Sequence, residues 1–135
     1  MTTTFTIEHN IEVAHRLTKL PGKCRQIHGH SMWVTLTMGG DVDDAGLVGG
    51  VDFGDAKRAF RSYLDTNYDH RLLLNETDQL AELALPGAQY LGDDPTVEYI
   101  AAVIGWWAVD AFPDLHGHTV KVQETRTNGV TWTAG

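Results

Sequence analysis

The chain has 135 residues, 10 Lys and Arg against 18 Asp and Glu, a formal net charge of -8 and one cysteine. That length suits one domain burying about two thirds of its unfolded surface, and the acidic balance argues against a general nucleic-acid binder, whose phosphate contacts need clustered cations. One cysteine excludes an internal disulfide, and the absence of any run of about 18 apolar residues or of a signal sequence points to a cytoplasmic protein with no membrane partner.

Taken in order, Thr3 to Ala14 is rich in Thr, Ile, Val and Phe and reads as a strand ending near His15. Leu20-Pro21-Gly22-Lys23 is a turn, because proline presets one dihedral and glycine accepts positive φ. The run Cys24-Arg25-Gln26-Ile27-His28-Gly29-His30 then leads into Ser31 to Met38, where Met32, Val34, Leu36 and Met38 alternate with Trp33, Thr35 and Thr37. If that strand begins at the histidines, His28 and His30 leave the same face, and His15 upstream can complete a three-histidine site with one tetrahedral position open. A bare His-x-His is also common at strand ends without any metal. A basic cluster of Arg16, Lys19, Lys23 and Arg25 beside it suits a small anionic substrate or merely a solvated loop.

An acidic, glycine-rich loop from Gly39 to Gly46 precedes Asp52, an N-cap candidate followed three residues later by Asp55. The segment after it sets Ala56, Phe60, Tyr63 and Leu64 opposite Lys57, Arg58 and Arg61, the spacing of an amphipathic helix. Asn67 to Arg71 ends that helix, and Leu72 to Gly92 reads as irregular. Asp69-His70 can be a carboxylate-oriented imidazole or two side chains pointing apart.

A second helix is expected from Asp94-Pro95-Thr96, with Pro95 in the first helical position and Pro113 stopping it. Glu98 in its first turn can simply favour the helix dipole. His116-Gly117-His118 repeats the earlier tripeptide at a loop-to-strand junction with no cysteine near it, and reads as structural. Thr119 to Thr125 then alternates with Val120, Val122 and Glu124 on one side, so Glu124 is either a costly inward carboxylate with a partner or a solvated one past the strand end. Asn128-Gly129 suggests a two-residue hairpin into Val130 to Thr133.

The order ββααββ predicts an α+β domain, a four-stranded antiparallel sheet with both helices on one face. Its threonine-rich face and free edges favour association with further copies. Cys24, flanked by Lys23 and Arg25, is either inert packing or a nucleophile or base with a lowered pKa.

Ala14-His15-Arg16-Leu17, Gly22-Lys23-Cys24, His28-Gly29-His30, Gly50 to Gly54, Tyr68-Asp69-His70, Pro95-Thr96-Val97-Glu98 and Glu124-Thr125, in this order, resemble the 6-pyruvoyl-tetrahydropterin synthase and 6-carboxy-tetrahydropterin synthase family. The resemblance implies the tunnelling fold, with trimers stacking into hexamers. It further implies Zn2+ on His15, His28 and His30, an acid/base set of Cys24, Asp69 and His70, and a pterin pocket anchored by Glu124 with Thr96 and Glu98 nearby. The short chain with its cysteine is more similar to the 6-carboxy branch, which makes 6-carboxytetrahydropterin, acetaldehyde and triphosphate from 7,8-dihydroneopterin triphosphate on the route to 7-deazaguanines. The sister 6-pyruvoyl reaction, a zinc hydrolase acting on a related ring, and a non-catalytic pterin-binding zinc protein are the alternatives.

Overall fold

A computed structural model describes residues 1–135. Its backbone is organised by a long antiparallel pair, β1 (Thr3–His15) and β2 (His28–Gly40), which run in register from Thr3 opposite Gly40 to His15 opposite His28. Alternation sorts the two faces: Phe5, Ile7, Ile11 and Val13 of β1 lie over Met38, Leu36, Met32 and His30 of β2, and all but His30 are buried. The opposite face carries Thr4, Thr6, Glu8, Ser31, Trp33 and Thr35, and Trp33 remains half exposed.

The remaining elements are α1 (Phe53–Asn67), β3 (Arg71–Asn75), β4 (Ala88–Leu91), α2 (Val97–Ala111), β5 (His116–Gln123) and β6 (Gly129–Thr133). One sheet of six strands results, ordered β4-β3-β1-β2-β5-β6. The fold is α+β as expected, but the four-stranded antiparallel sheet is corrected to a mixed one, because β3 pairs parallel to both β1 and β4. Leu72-Leu73-Leu74 is an unbroken apolar run, the pattern of a strand covered on both faces, and so gives no alternation to read. The parallel step from β3 to β4 uses residues 76–87, including a 3-10 turn at Gln79–Leu83, about the dozen residues such a crossover requires.

Both helices cover the apolar face. Ala56, Phe60 and Leu64 of α1 and Val97, Ile100, Ala101, Ile104 and Ala108 of α2 join the inward residues of β1, β2 and β5 in one core of 23 residues. Asp52 caps α1 by accepting the Asp55 N–H, as the spacing predicted. In α2 the cap is Thr96, whose hydroxyl accepts the Tyr99 N–H, so Pro95 stands one residue outside the helix and not at its first position. Gly105 of α2 lies against the Trp132 indole, where an added Cβ would meet ring carbons at 2.2 Å, and this contact seats β6 under the helix.

β5 starts three residues earlier than the alternation suggested, at His116. His118 is buried with its Nε2 2.9 Å from the Phe112 carbonyl, which gives the second His-Gly-His a packing role. The hairpin loop spans residues 124–128 instead of Asn128-Gly129 alone, and Gly129 already pairs with Gln123. A Cβ on Gly129 would approach the Val122 carbonyl to 2.7 Å, so the glycine serves close strand approach. No helix is long and apolar enough to cross a membrane.

Candidate metal centre and its surroundings

The core face of the sheet ends in histidines. Because His15 lies directly opposite His28, and His30 opposite Val13, strand periodicity carries all three imidazoles onto one face. Their ring centroids are 4.5 to 5.0 Å apart, and one nitrogen from each lies within 4.8 Å of the other two. Burial holds the His15 imidazole below its ordinary pKa, a penalty that the Pro95 hydrogen bond only partly offsets, and the neighbouring His28 and His30 add to it. The ring is therefore neutral at physiological pH, the form that ligates metals.

Main-chain carbonyls fix which nitrogen is free. His15 Nδ1 lies 2.7 Å from the Pro95 carbonyl and His28 Nδ1 2.7 Å from that of Gln26, so each donates there and turns Nε2 toward the cluster. The Nε2 atoms of His15 and His30 are buried without any hydrogen-bond partner. Two orphaned acceptors are costly at about 1–3 kcal/mol each, and a shared cation satisfies both. A tetrahedral zinc with bonds of about 2.0–2.1 Å sets nitrogens about 3.4 Å apart, within small rotamer changes of the observed spacing. The residues present fit the ion.

Glu124 turns into this cluster even though β5 stops at Gln123. Its Oε2 is 3.9 Å from His15 Nε2 and 4.0 Å from His30 Nε2, while Asn128 Nδ2 donates to Oε1 at 3.2 Å. The carboxylate is past the strand end, as the solvated alternative required, yet only 18% exposed. Cys24 occupies the 3-10 turn Gly22–Arg25 and is half-buried; its sulfur is not one of the atoms that close on the imidazoles.

Asp69 and His70 do form a pair, with His70 Nδ1 2.8 Å from Asp69 Oδ2. The other Asp69 oxygen accepts the Glu12 N–H at 2.8 Å, and the His70 N–H donates to the Glu12 carbonyl. Partial burial alone would raise the Asp69 carboxyl, but the bonds from Glu12 and His70 outweigh it and hold it below the usual carboxylate range. His70 sits at φ +58°, a left-handed conformation that costs a non-glycine residue about 1–3 kcal/mol. Its ring is 78% exposed and lines, with Glu12, Gly29, His30 and Ser31, an open cleft of about 550 Å3. Thr96 and Glu98 line a separate, smaller cleft with Lys19 and Tyr99; the Thr96 hydroxyl is engaged as the helix cap and Glu98 is exposed.

Asp94 is a functional-site neighbour that the sequence reading missed, having absorbed it into a helix start. It is buried and accepts four bonds, from the Thr18 N–H and hydroxyl, the Lys19 N–H and the Asn75 amide, thereby clamping the segment that follows His15. The basic cluster also divides. Lys19 pairs with Asp93, Lys23 is exposed, and Arg16 and Arg25 face one polar cleft.

Comparison with known proteins agrees with this geometry. A family model described as 6-pyruvoyl tetrahydropterin synthase matches residues 4–134. The 6-carboxy-5,6,7,8-tetrahydropterin synthase of Rickettsia typhi is 30% identical over 98 residues, 68% of this chain and 70% of that protein. Among solved structures, an uncharacterized protein of Wolinella succinogenes superposes with a TM-score of 0.87 at 16% identity, covering 100% of this chain and 99% of that one. The 6-pyruvoyl tetrahydropterin synthase of Plasmodium falciparum does so with a TM-score of 0.80 at 17% identity over 98% of each chain. At those identities the two structures speak to the fold, which they share.

Proposed function

The chain belongs to the 6-pyruvoyl tetrahydropterin synthase family, and from that membership we propose that it is a zinc-dependent 6-carboxy-5,6,7,8-tetrahydropterin synthase. It takes 7,8-dihydroneopterin triphosphate and water to 6-carboxytetrahydropterin, acetaldehyde and triphosphate, on the route to 7-deazaguanines. The observation that carries the reading is the pair of buried, partnerless Nε2 atoms on His15 and His30 beside a third imidazole aimed by the Gln26 carbonyl. The name of the Rickettsia relative favours the 6-carboxy product over the 6-pyruvoyl one.

His15, His28 and His30 hold the zinc in this proposal. When bound, the ion polarises the side-chain oxygens of the substrate and acidifies the adjoining C–H bonds. Cys24 and His70 then move protons on either side of the side chain, with Asp69 keeping the His70 Nδ1–H pointed away and Nε2 free to accept. Glu124 receives the pterin ring N–H and exocyclic amino group in a bidentate contact, displacing the Asn128 amide. Thr96 and Glu98, which line a separate cleft within the single chain, are assigned to the pterin pocket by family membership alone. The Cys24 sulfur stands outside the imidazole cluster and His70 opens to solvent, which fits a site completed where copies meet, as trimers paired into hexamers. Both outer strands, β4 and β6, have one unpaired side available for such assembly. The lone cysteine suits the reducing conditions of a cytoplasmic enzyme.

Incubation of the zinc-loaded protein with dihydroneopterin triphosphate, followed by mass spectrometry, tests this directly. Acetaldehyde and a 6-carboxy pterin are expected; 6-pyruvoyl-tetrahydropterin as sole product moves the chain to the sister reaction. Cys24→Ala is expected to abolish turnover while zinc content stays unchanged, and unimpaired turnover would remove the thiol from the mechanism.

A further inference from the structure

We propose that Glu124 is the fourth ligand of the metal centre in the substrate-free protein, its Oε2 closing the coordination position that His15, His28 and His30 leave open, and that substrate has to displace it. The same carboxylate oxygen lies 3.9 Å from His15 Nε2 and 4.0 Å from His30 Nε2. Ligands of a tetrahedral zinc, bound at about 2.0–2.2 Å, sit about 3.4 Å from one another, so Oε2 is within about 0.6 Å of a ligand's distance from two of the imidazole nitrogens. The three nitrogens themselves close from separations of up to 4.8 Å.

Neither contact is a hydrogen bond, because both are too long. Nor is His15 Nε2 a donor: Nδ1 carries the ring proton and donates it to the Pro95 carbonyl, which leaves Nε2 a bare lone pair. His30 Nε2 is likewise buried without a hydrogen-bond partner. A carboxylate oxygen aimed at such atoms is repelled unless a cation lies between them, and a carboxylate only 18% exposed needs either donors or a cation. The loop holds the aim. The N–H groups of Glu124 and Thr125 donate to the Asn128 carbonyl at 3.1 and 3.2 Å, and the Thr125 hydroxyl donates to the Asn128 side-chain oxygen. The Asn128 amide in turn donates to Oε1 at 3.2 Å, so Oε2 is the oxygen left facing the imidazoles.

Ligation by the carboxylate makes the resting site a closed one, whereas a working catalytic site keeps one position for water or substrate. The anion offsets part of the charge of the ion and keeps water off it, so the centre stays unreactive until substrate arrives. Under the function proposed above, Glu124 also takes the amino edge of a pterin, which lies across two fused rings from the side chain that meets the metal. One carboxylate cannot reach both ends at once, so taking the ring edge means leaving the ion. Side-chain rotation suffices for this exchange: the Asn128 amide bond breaks while the main-chain bonds to the Asn128 carbonyl persist. The exchange rests on that function; the resting ligation rests on the geometry of the cluster alone.

The test uses the full-length protein loaded with Co2+ or Zn2+ and free of substrate. Water on an open site of this kind ionises at about pH 7, and in the cobalt form that ionisation changes the visible spectrum. Wild type should show no spectral transition across neutral pH, whereas Glu124→Ala, with water in the place of the carboxylate, should show one. Zinc affinity, measured by competition with a chromophoric chelator, should fall about tenfold or more in Glu124→Ala and in Glu124→Gln, which keeps the side-chain shape and guards against a folding defect. Three histidines still hold the ion, so zinc content in excess metal should be the same in all three proteins. A transition at neutral pH in wild type overturns the ligation, as does equal zinc affinity in wild type and both variants. Lower affinity with identical cobalt spectra in wild type and Glu124→Ala reduces Glu124 to a through-space charge effect and overturns it too. Phosphate-free dihydroneopterin should alter the wild-type cobalt spectrum, and an unchanged spectrum at saturation overturns the exchange. A silent wild-type spectrum without turnover of dihydroneopterin triphosphate leaves the resting ligand standing and removes the proposed function, whereas turnover by a protein that shows the transition does the reverse.

Discussion

Chelating the purified protein and restoring zinc should move its thermal midpoint by an amount that can be worked out beforehand. A ligand held at a hundred times its Kd stabilises the folded state by about 2.7 kcal/mol. An unfolding entropy of about 2.1 cal/mol/K per residue gives about 0.28 kcal/mol/K for 135 residues. The expected rise is therefore about 10 °C, read by scanning calorimetry at one fixed protein concentration because assembly also shifts the midpoint. The stabilisation originates in the Nε2 atoms of His15 and His30, which in the metal-free protein are buried with nothing to bond. His30→Ala deletes one of those acceptors and one ligand together. It should leave the metal-free midpoint within a few degrees of wild type and abolish most of the rise. A zinc response of equal size in wild type and His30→Ala would refute the reasoning, since the ion would then be held elsewhere.

Glu124→Gln should raise the KM for the pterin substrate about tenfold or more with zinc content unchanged, because an amide can accept only one of the two donors a carboxylate takes; initial-rate kinetics and metal analysis check it. Asp94→Asn should destabilise by about 1–3 kcal/mol at neutral pH, because the new NH2 group faces a donor in a buried site. Burial alone raises the Asp94 carboxyl, but the bonds from Thr18, Asn75 and Lys19 outweigh it and hold it below the usual range. A depressed carboxyl stabilises fully above its unfolded-state pKa and loses that contribution as pH falls through the folded value. The wild-type advantage over Asp94→Asn in urea melts should accordingly shrink between neutrality and acid pH, and a constant difference would exclude Asp94 as the source. Gly105→Ala gains about 1 kcal/mol of helix propensity but drives a methyl into the Trp132 ring. Overpacking of about 1–3 kcal/mol should win, giving a lower midpoint that Gly105→Ala combined with Trp132→Ala lowers by less than the sum of the two single changes.

The parts of this molecule that the sequence disclosed are those encoded by short-range pattern. Alternation in Ser31 to Met38 placed His28 and His30 on one face, and the Asp52-to-Asp55 spacing marked the start of α1. What escaped has non-local or main-chain causes. β3 pairs with a strand more than fifty residues away and is apolar without alternation, so nothing within it announces a partner. The carbonyls of Pro95 and Gln26 that aim His15 and His28 belong to no side chain and leave no mark on residue identity. Asp94 looked like a helix start because its four donors come from segments that only the fold brings together. Thr96 took the cap that Pro95 seemed to announce because a hydroxyl can accept the Tyr99 N–H and a proline ring cannot.

The thirteen paired positions of β1 and β2 give the imidazole triad an address written in ladder hydrogen bonds. Exchanging one apolar side chain for another along these strands leaves that address intact. Inserting or deleting a single residue anywhere between Thr3 and His15 would rotate His15 to the far side of the sheet, where neither His28 nor His30 could find it. Length changes should accumulate instead at turns such as Asp41 to Gly50, and a lineage could remodel those ends freely while the central ribbon stays fixed to the residue.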